Sequence, residues 1–559
     1  MKLQFCIWIN LEKYFQMKIF RFLKPQLQTF VWVGFFMLLT QAADAQVSGT
    51  VFRDFNANGV KNNGTTFNEP FVAGVTVNAY DANGSVATAT TDVNGAYAFS
   101  GLTLPVRIEF TNYASGDYSA PWGSGSNTSV QFYSTATSSA NFGVNYPSDY
   151  CHTENPFVGV NAYRNGDPAA SDVASKNAFY TFGYNSSGNA ANNIGAITGQ
   201  IGATYGQAYQ KQTKFSFEAA YVKRHTGFGP LGIGGIYKIN LTNPAAPVAS
   251  NWISINDPAG LNINVGNVTR VQSSTDINGI SSDPTVACFD ADAYLKVGTT
   301  GIGDIEFDEA GTTLWLVNLF DRKLYGIQNV NPATSPTASD VLGGYEVTLP
   351  AGYSCNGTLR PFALRPYRGL IYVGAVCDAT GAGADSTDLD AYVLSFNPAN
   401  PGAGFSVVTT IPLNNIKNKY NVSIVADHWE VWDMSYVDGN QRKATPMLTD
   451  IEFDIDGSLI LGFRSRTGDM FGFYNRQPVA DPNNSSLGDT TLPLVFSDGF
   501  GDIMRVCNVG GTFVLEGGAG CPFNATVTGV SNGIYNSATN TTGEYYFGEW
   551  GPNVDNGLV

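Results

Sequence analysis

Charge is the first thing this sequence has little of. Only 14% of its 559 residues are Asp, Glu, Lys or Arg, and acids outnumber bases 46 to 30, a net charge of −16. A chain so poor in base lacks the electrostatic footprint for nucleic acid or an anionic membrane surface, and its carboxylate excess favours divalent cations. Histidine is scarcer still, at His152, His225 and His428 alone. No His-Glu-x-x-His and no Gly-x-Ser-x-Gly occurs, which removes the zincin helix and the nucleophile elbow. The absence of Cys-x-x-Cys argues against a zinc ribbon. Gly227, Gly229, Gly232, Gly234 and Gly235 lack the Lys-Ser/Thr ending of a phosphate loop. Long hydrophobic runs are missing too: Phe30 to Leu39 is too short to span a bilayer comfortably.

That short run explains the start of the chain. Lys18, Arg21 and Lys24 form a basic stretch before it, and Ala43-Asp44-Ala45 follows as a small-x-small cleavage site. Residues 1–45 therefore read as a secretory signal peptide, with the mature chain beginning at Gln46 and no integral membrane segment after cleavage. Met17 is an alternative start. Cleavage removes five bases and two acids, taking the net charge from −16 to −19. Six cysteines remain, and an even number in an exported chain predicts at least two disulfides; Cys355 with Cys377 and Cys507 with Cys521 are the local choices.

Glycine and aromatics are abundant, with 62 Gly, 28 Tyr and 36 Phe. This is the composition of secreted β structure. One stretch occurs twice. Asp304-Ile-Glu-Phe-Asp-Glu-Ala-Gly311 is followed by Leu314–Val317 and Leu324–Ile327. Asp450-Ile-Glu-Phe-Asp-Ile-Asp-Gly457 is followed by Ile460–Phe463 and Met470–Phe473. Each copy predicts three short strands. Looser copies cover 206–239 and 362–396. A repeated strand triplet cannot bury both faces alone, so a divergent β-propeller is expected over 150–559, with a β-sandwich or stacked barrels as the alternative. The chain shows no obvious last blade, consistent with a piece of a longer surface protein.

The segment 46–146 predicts a separate sandwich. Val75–Tyr80 and Ala96–Phe99 alternate as half-buried strands, and Asn83-Gly84 and Asn94-Gly95 read as hairpin turns. Asp54, Asn56 and Asn58 alternate around Gly59, with Glu69 further on. That is the oxygen spacing a hard cation needs, and equally that of an Asx-rich turn that binds nothing.

Gly49–Gly59, Glu69–Val77 and Thr91–Phe99, in that order, resemble the SdrD-type B domain, a prealbumin-like (Cna-B-like) seven-stranded sandwich of bacterial surface proteins. The resemblance implies structural Ca²⁺ held by Asp54, Asn56, Asn58, the Val60 carbonyl and Glu69, with Asp92 and Asn94 at a second acidic turn. Asn58 stands where the family usually carries Asp, so weaker binding is expected. The rest of the chain resembles the propeller-like region that follows such a domain in large secreted proteins of Bacteroidota.

Two function classes follow. One is a secreted or cell-surface adhesive or structural protein, with a calcium-stiffened spacer and a propeller platform for an extracellular protein or glycan. The other is a calcium-dependent propeller hydrolase, for which Asp304, Glu306, Asp450, Glu452 and Asp502 are the candidate carboxylates. Alternation on an ordinary blade strand also explains the Asp-Ile-Glu-Phe pairs. Three or more carboxylates with a base at one channel mouth would favour the hydrolase, an apolar plug the platform. Lys223-Arg224-His225 is either an anion site or a structural loop with a buried Arg pairing a blade carboxylate, and the structural reading is preferred.

Overall fold

The computed structural model describes residues 46–521, apart from 55–56, 63–68, 147–149, 152–154, 188–192, 414–428, 437–442, 455–456, 473–474, 479–500 and positions 115, 124, 127, 433 and 510. The proposed leader, Asn56, His152 and His428 lie outside the described residues. The chain divides into two compact units, one ending at Pro147 and the other beginning at Ser148. Both are built of β-strands.

The first unit has eight strands: β1 (Val47–Arg53), β2 (Thr76–Tyr80), β3 (Val86–Thr90), β4 (Ala96–Phe99), β5 (Val106–Thr111), β6 (Tyr118–Ser119), β7 (Val130–Tyr133) and β8 (Phe142–Asn145). They form two four-stranded sheets, ordered β4-β1-β8-β6 and β3-β2-β5-β7. The family resemblance implies seven strands; the two-residue β6 is the extra one. Alternation does the folding work: Val77 and Ala79 on β2, Ile108 and Phe110 on β5, and Phe142 and Val144 on β8 all turn inward. Phe110 stacks on Phe142 at 4.7 Å between ring centroids. Each such ring buried contributes about 1.5–3 kcal/mol. Asn83-Gly84 makes the expected β2–β3 hairpin. Asn94-Gly95 does not, because β3 and β4 belong to different sheets, so this turn is a corner between layers.

The second unit opens with a three-stranded sheet of β9 (Phe157–Asn161), β10 (Asn177–Gly183) and β11 (Asn193–Ile197). Four four-stranded antiparallel meanders follow. These are β12 (Thr204–Gln210), β13 (Phe215–Ala220), β14 (Gly235–Asn240) and β15 (Val248–Ser254), then, past a small parallel ladder of β16 (Val271–Gln272) and β17 (Gly279–Ile280), β18 (Ile302–Phe307), β19 (Leu314–Asn318), β20 (Lys323–Ile327) and β21 (Val341–Glu346). The last two are β22 (Leu359–Tyr367), β23 (Leu370–Cys377), β24 (Asp390–Phe396) and β25 (Phe405–Pro412), and β26 (Pro446–Phe453), β27 (Leu459–Ser465), β28 (Asp502–Val509) and β29 (Thr512–Leu515).

The first strands of these meanders pack on one another in chain order, β12 on β18, β18 on β22 and β22 on β26, and β18 also reaches β26. Strands in a flat row could not skip a neighbour; these curve about an axis, as propeller blades do. The approach is close: a Cβ on Gly206 would lie 2.7 Å from the Gly303 carbonyl oxygen, so only glycine fits. Separate apolar layers fill the gaps between successive meanders. In the first, Phe217 meets Trp252 and Phe307 edge-on at 4.8 and 5.3 Å. Sheets covered on both faces explain why Leu314–Val317 reads as an unbroken apolar run rather than an alternation, all four residues being buried.

The repeat is confirmed for all three strands of the first copy and for the first two of the second, whose third departs. Of Met470–Phe473, Met470 to Gly472 form no strand, and Phe473 lies outside the described residues. Arg466–Phe471 forms a short helix ending at Gly472 (φ 65°), and the third strand comes from Asp502–Val509. Every residue of that helix is buried, and its carbonyls and Asp469 are taken up by basic side chains described below; this tertiary demand overrides local strand preference. Each meander also has a fourth strand that the repeat did not announce. Both expected disulfides are present, Cys355–Cys377 and Cys507–Cys521, with Cα separations of 5.4 and 5.5 Å. Cys151 and Cys288 are free.

Candidate functional site

In the first unit, Asp54 leaves β1 fully buried. Its Oδ1 accepts the Asn58 N–H at 3.1 Å and its Oδ2 the Gly59 N–H at 2.7 Å. Asn58 Oδ1 accepts from the Val60 N–H at 2.8 Å. Glu69, also buried, closes the loop by accepting the Asn62 N–H at 2.7 Å. Gly59, at φ 70°, lies flat on Gly123. The loop thus carries two carboxylates and an amide oxygen, donors of the hard-oxygen kind that Ca²⁺ takes. Its side chains are partnered by the loop's own N–H groups, and among the described residues no three His, Cys, Asp or Glu side chains are grouped to hold a metal. Asp92 is exposed and caps its own corner, accepting from the Asn94 and Ala96 N–H groups at 2.9 and 2.8 Å.

In the second unit the repeated Asp-Ile-Glu-Phe segments are the inner strands β18 and β26, and β22 runs between them with Arg365 facing both. Arg365 Nη1 donates to Glu306 Oε1 at 3.2 Å, and its Nη2 lies 2.9 Å from Glu452 Oε2. Asp304 accepts the Ile305 and Leu364 N–H groups at 2.9 and 3.1 Å. Asp304 also interacts with Asp450, which in turn interacts with Arg365. Four carboxylates therefore share one guanidinium. Burial, more than any other cause, raises the pKa of all four: Glu306 to about 8, Glu452 to about 7, and Asp304 and Asp450 upward, with Arg365 opposing at Glu306, Glu452 and Asp450. Yet Asp450 is exposed, and the Glu452, Arg365 and Glu306 side chains are 46%, 31% and 24% accessible. Solvent therefore reaches these groups although neighbouring strands crowd around them. Asp502 is not among them; it heads β28 and acts on Glu516, whose pKa burial raises to about 8.

A second cluster has the opposite composition. Asp469 Oδ1 takes Lys223 Nζ at 3.0 Å, both Asp469 oxygens take Arg464 at 2.6 Å, and Tyr221 donates to Asp469 Oδ2 at 2.8 Å. Burial would raise the Asp469 pKa, but Arg464 and Lys223 hold it well below the usual carboxylate range. Arg224 is fully buried and donates to the Asp290, Met470 and Arg476 carbonyls at 3.2, 2.9 and 2.7 Å. Arg270 pairs with Asp290 at 2.8 Å. His225, at φ 69°, lies 3.4 Å from Cys288 Sγ through Nδ1; burial drives the imidazole pKa far down and the thiol up to about 12, so neither is charged at neutral pH. Lys223-Arg224-His225 is thus the structural loop expected, with one correction. Arg224 grips carbonyls, and the carboxylate partner of Lys223 is on a helix, not a blade strand. The contacts of Asp469 and of the Met470 and Arg476 carbonyls, far along the chain, were not legible in the sequence.

The family model of the SdrD B-like domain matches residues 45–146. Colossin-A of Dictyostelium discoideum is 25% identical over 503 residues, which is 85% of this chain and 4% of Colossin-A. Colossin-C of the same organism is 23% identical over 508 residues, 83% of this chain and 46% of Colossin-C. The chain thus spans less than half the length of these two relatives. Among solved structures, a protein of unknown function from Bacteroides thetaiotaomicron is 10% identical with a TM-score of 0.27, the match covering 93% of this chain and 97% of that one. A nidogen/laminin complex gives 8% identity and a TM-score of 0.27, covering 63% and 89%. Residues 45–146 are therefore an SdrD B-like domain, joined to a propeller-like unit that rests on its own sheet topology.

Proposed function

We propose that this chain is a secreted or cell-surface adhesive or structural protein, its first unit a calcium-stiffened spacer and its second a platform that binds an extracellular protein or glycan. The observation that carries the reading is the SdrD B-like domain itself, a sandwich with its own closed core and an oxygen-rich loop. The disulfides and the acidic, base-poor surface support an extracellular setting. No described helix is long and apolar enough to cross a membrane. With Asp54 and Glu69 as the only fully negative groups among the proposed ligands, the loop should bind calcium in the ~10⁻⁴ to 10⁻³ M range of extracellular modules. At ten times the dissociation constant, binding stabilises the fold by about 1.4 kcal/mol. The Gln46–Tyr146 unit should melt higher in calcium than in chelator, magnesium should substitute poorly, and Asp54→Ala should abolish the difference. Equal melting temperatures would leave the loop a plain turn. For the platform, beads carrying the full chain should be retained on a printed glycan array or on immobilised extracellular-matrix proteins; no retention on either counts against adhesion.

One observation favours the hydrolase as a second reading: the four carboxylates do converge on an arginine, and raised carboxyl groups can act as general acids. Against it, Arg365 is already engaged on both sides. A panel of fluorogenic glycosides and phosphoesters decides the matter, since turnover lost in Glu306→Gln would replace the platform reading.

A further inference from the structure

We propose that Asp304, Glu306, Asp450 and Glu452, gathered around Arg365 on the inner strands of three successive meanders, form a proton-dependent clasp that tightens the second unit in mildly acidic surroundings and loosens it in alkaline ones. The geometry is that of a bridge. Arg365 on β22 reaches Glu306 on β18 and Glu452 on β26, and the Leu364 N–H beside it holds Asp304. One guanidinium neutralises one carboxylate. With all four ionised the cluster carries a net charge of about −3, and like charges sharing a partly desolvated site repel strongly.

The other groups facing the cluster do not relieve this. From β12 comes Tyr205, whose phenol burial keeps protonated. From β27 comes Arg464, which acts on Tyr205 but is committed to Asp469. Arg368, at the far end of β22, donates its backbone N–H to Glu309. What can relieve the repulsion is protonation, since a protonated carboxyl also gains a donor for its neighbour, and the site titrates as a coupled set. The sign follows. Carboxylates whose pKa is raised in the folded state hold protons that the unfolded chain has released, so stability falls as pH rises from about 4.5 to about 8.

The test uses the full chain in guanidinium chloride at pH 5.5, 7 and 8.5, read by tryptophan fluorescence, to which Trp252, Trp315, Trp429 and Trp432 of the second unit contribute. Each proton retained on folding changes the unfolding constant tenfold per pH unit. Wild type should retain about one to two protons that Glu306→Gln/Glu452→Gln does not, so the double variant should be less sensitive to pH and the more stable of the two at pH 8.5. Glu218 and Glu516, whose pKa values burial also raises to about 8, remain in both proteins, and the difference between the two isolates the clasp. Parallel pH profiles would overturn the proposal. Should the double variant not fold, Glu452→Gln alone changes the most accessible carboxylate of the bridge. Infrared spectra should then show a protonated-carboxyl band at pH 7 in wild type that is weaker in the variant, and a band of equal strength in both, or none in wild type, overturns the proposal equally.

Discussion

The two charge clusters of the second unit are opposites. Around Arg365, four carboxylates share one base. Around Asp469 and Asp290, two carboxylates face Lys223, Arg224, Arg270 and Arg464. Each leaves an excess of one sign in a desolvated place, and the two dispose of it differently. Carboxyl groups can take up protons near neutrality, so the acidic cluster can neutralise itself. A guanidinium cannot shed its proton in the same range; even Arg224, whose pKa burial lowers, falls only to about 10. The basic cluster is therefore solvated by oxygen from the backbone: Asp290, Met470 and Arg476 for Arg224, Thr226 and Lys223 for Arg270, Val297 and Leu295 for Arg466. The lesson is that an acidic excess can be left as a variable, whereas a basic excess has to be built into loop geometry.

The largest effect should come from breaking the basic side. Asp469→Ala leaves Lys223 and Arg464 buried without their carboxylate, a loss expected at about 3–5 kcal/mol. Chemical unfolding read by the second unit's fluorescence should show it, and an unchanged midpoint would mean those cations find water. Next is Arg224→Lys, which keeps the charge and loses the fork. With one or more buried carbonyls left unsatisfied, about 1–3 kcal/mol should be lost. A loss below about 0.5 kcal/mol would show that charge, not the carbonyl grip, matters there.

On the acidic side, Arg365→Met should cost less, about 1 kcal/mol, because the pair partners are partly exposed and screened. Its cost should be visible at pH 8.5 and shrink at pH 5.5, whereas that of Arg224→Lys should not vary over this range. A pH-independent cost for Arg365→Met would erase the contrast. Smallest is the acid limb of the pH profile in wild type. The lowered pKa of Asp469 adds stability that is complete above about 4 and lost as pH falls toward the folded value, opposite in sign to the carboxylates around Arg365. The second unit should thus be most stable in mild acid, and a titration of its unfolding midpoint rising steadily from pH 5 to 9 would contradict the assignment.

Much of this architecture is written locally. Phe215–Tyr221, Gly235–Ile239, Gly369–Val373 and Ala391–Phe396 read as strands and fall on β13, β14, β23 and β24. The cysteine pairs follow from short spacing along the chain. The first unit's three motifs name its family, and its hydrophobic alternation gives its two faces. These features depend on period, turn chemistry and proximity along the chain, all of which a sequence carries explicitly.

Other features had to wait for the tertiary structure. Alternation puts Asp304 with Glu306 and Asp450 with Glu452 on one side of a strand; it cannot say that β18 and β26 flank β22, or that Arg365 stands between them. Met470–Phe473 has a strand's composition, but its neighbourhood needs a helix that points carbonyls at Arg224 and a carboxylate at Arg464. Asn94-Gly95 is a turn in any case, and only the placement of β3 and β4 in different sheets makes it a corner. The sequence by itself determined many of the strand segments and the two cysteine pairs, and that buried charge would need partners. Which charges meet was decided by stacking, because a blade's inner strand takes its neighbours from other blades: Arg365 meets Glu306 across 59 residues, and the Leu364 N–H meets Asp304 across 60.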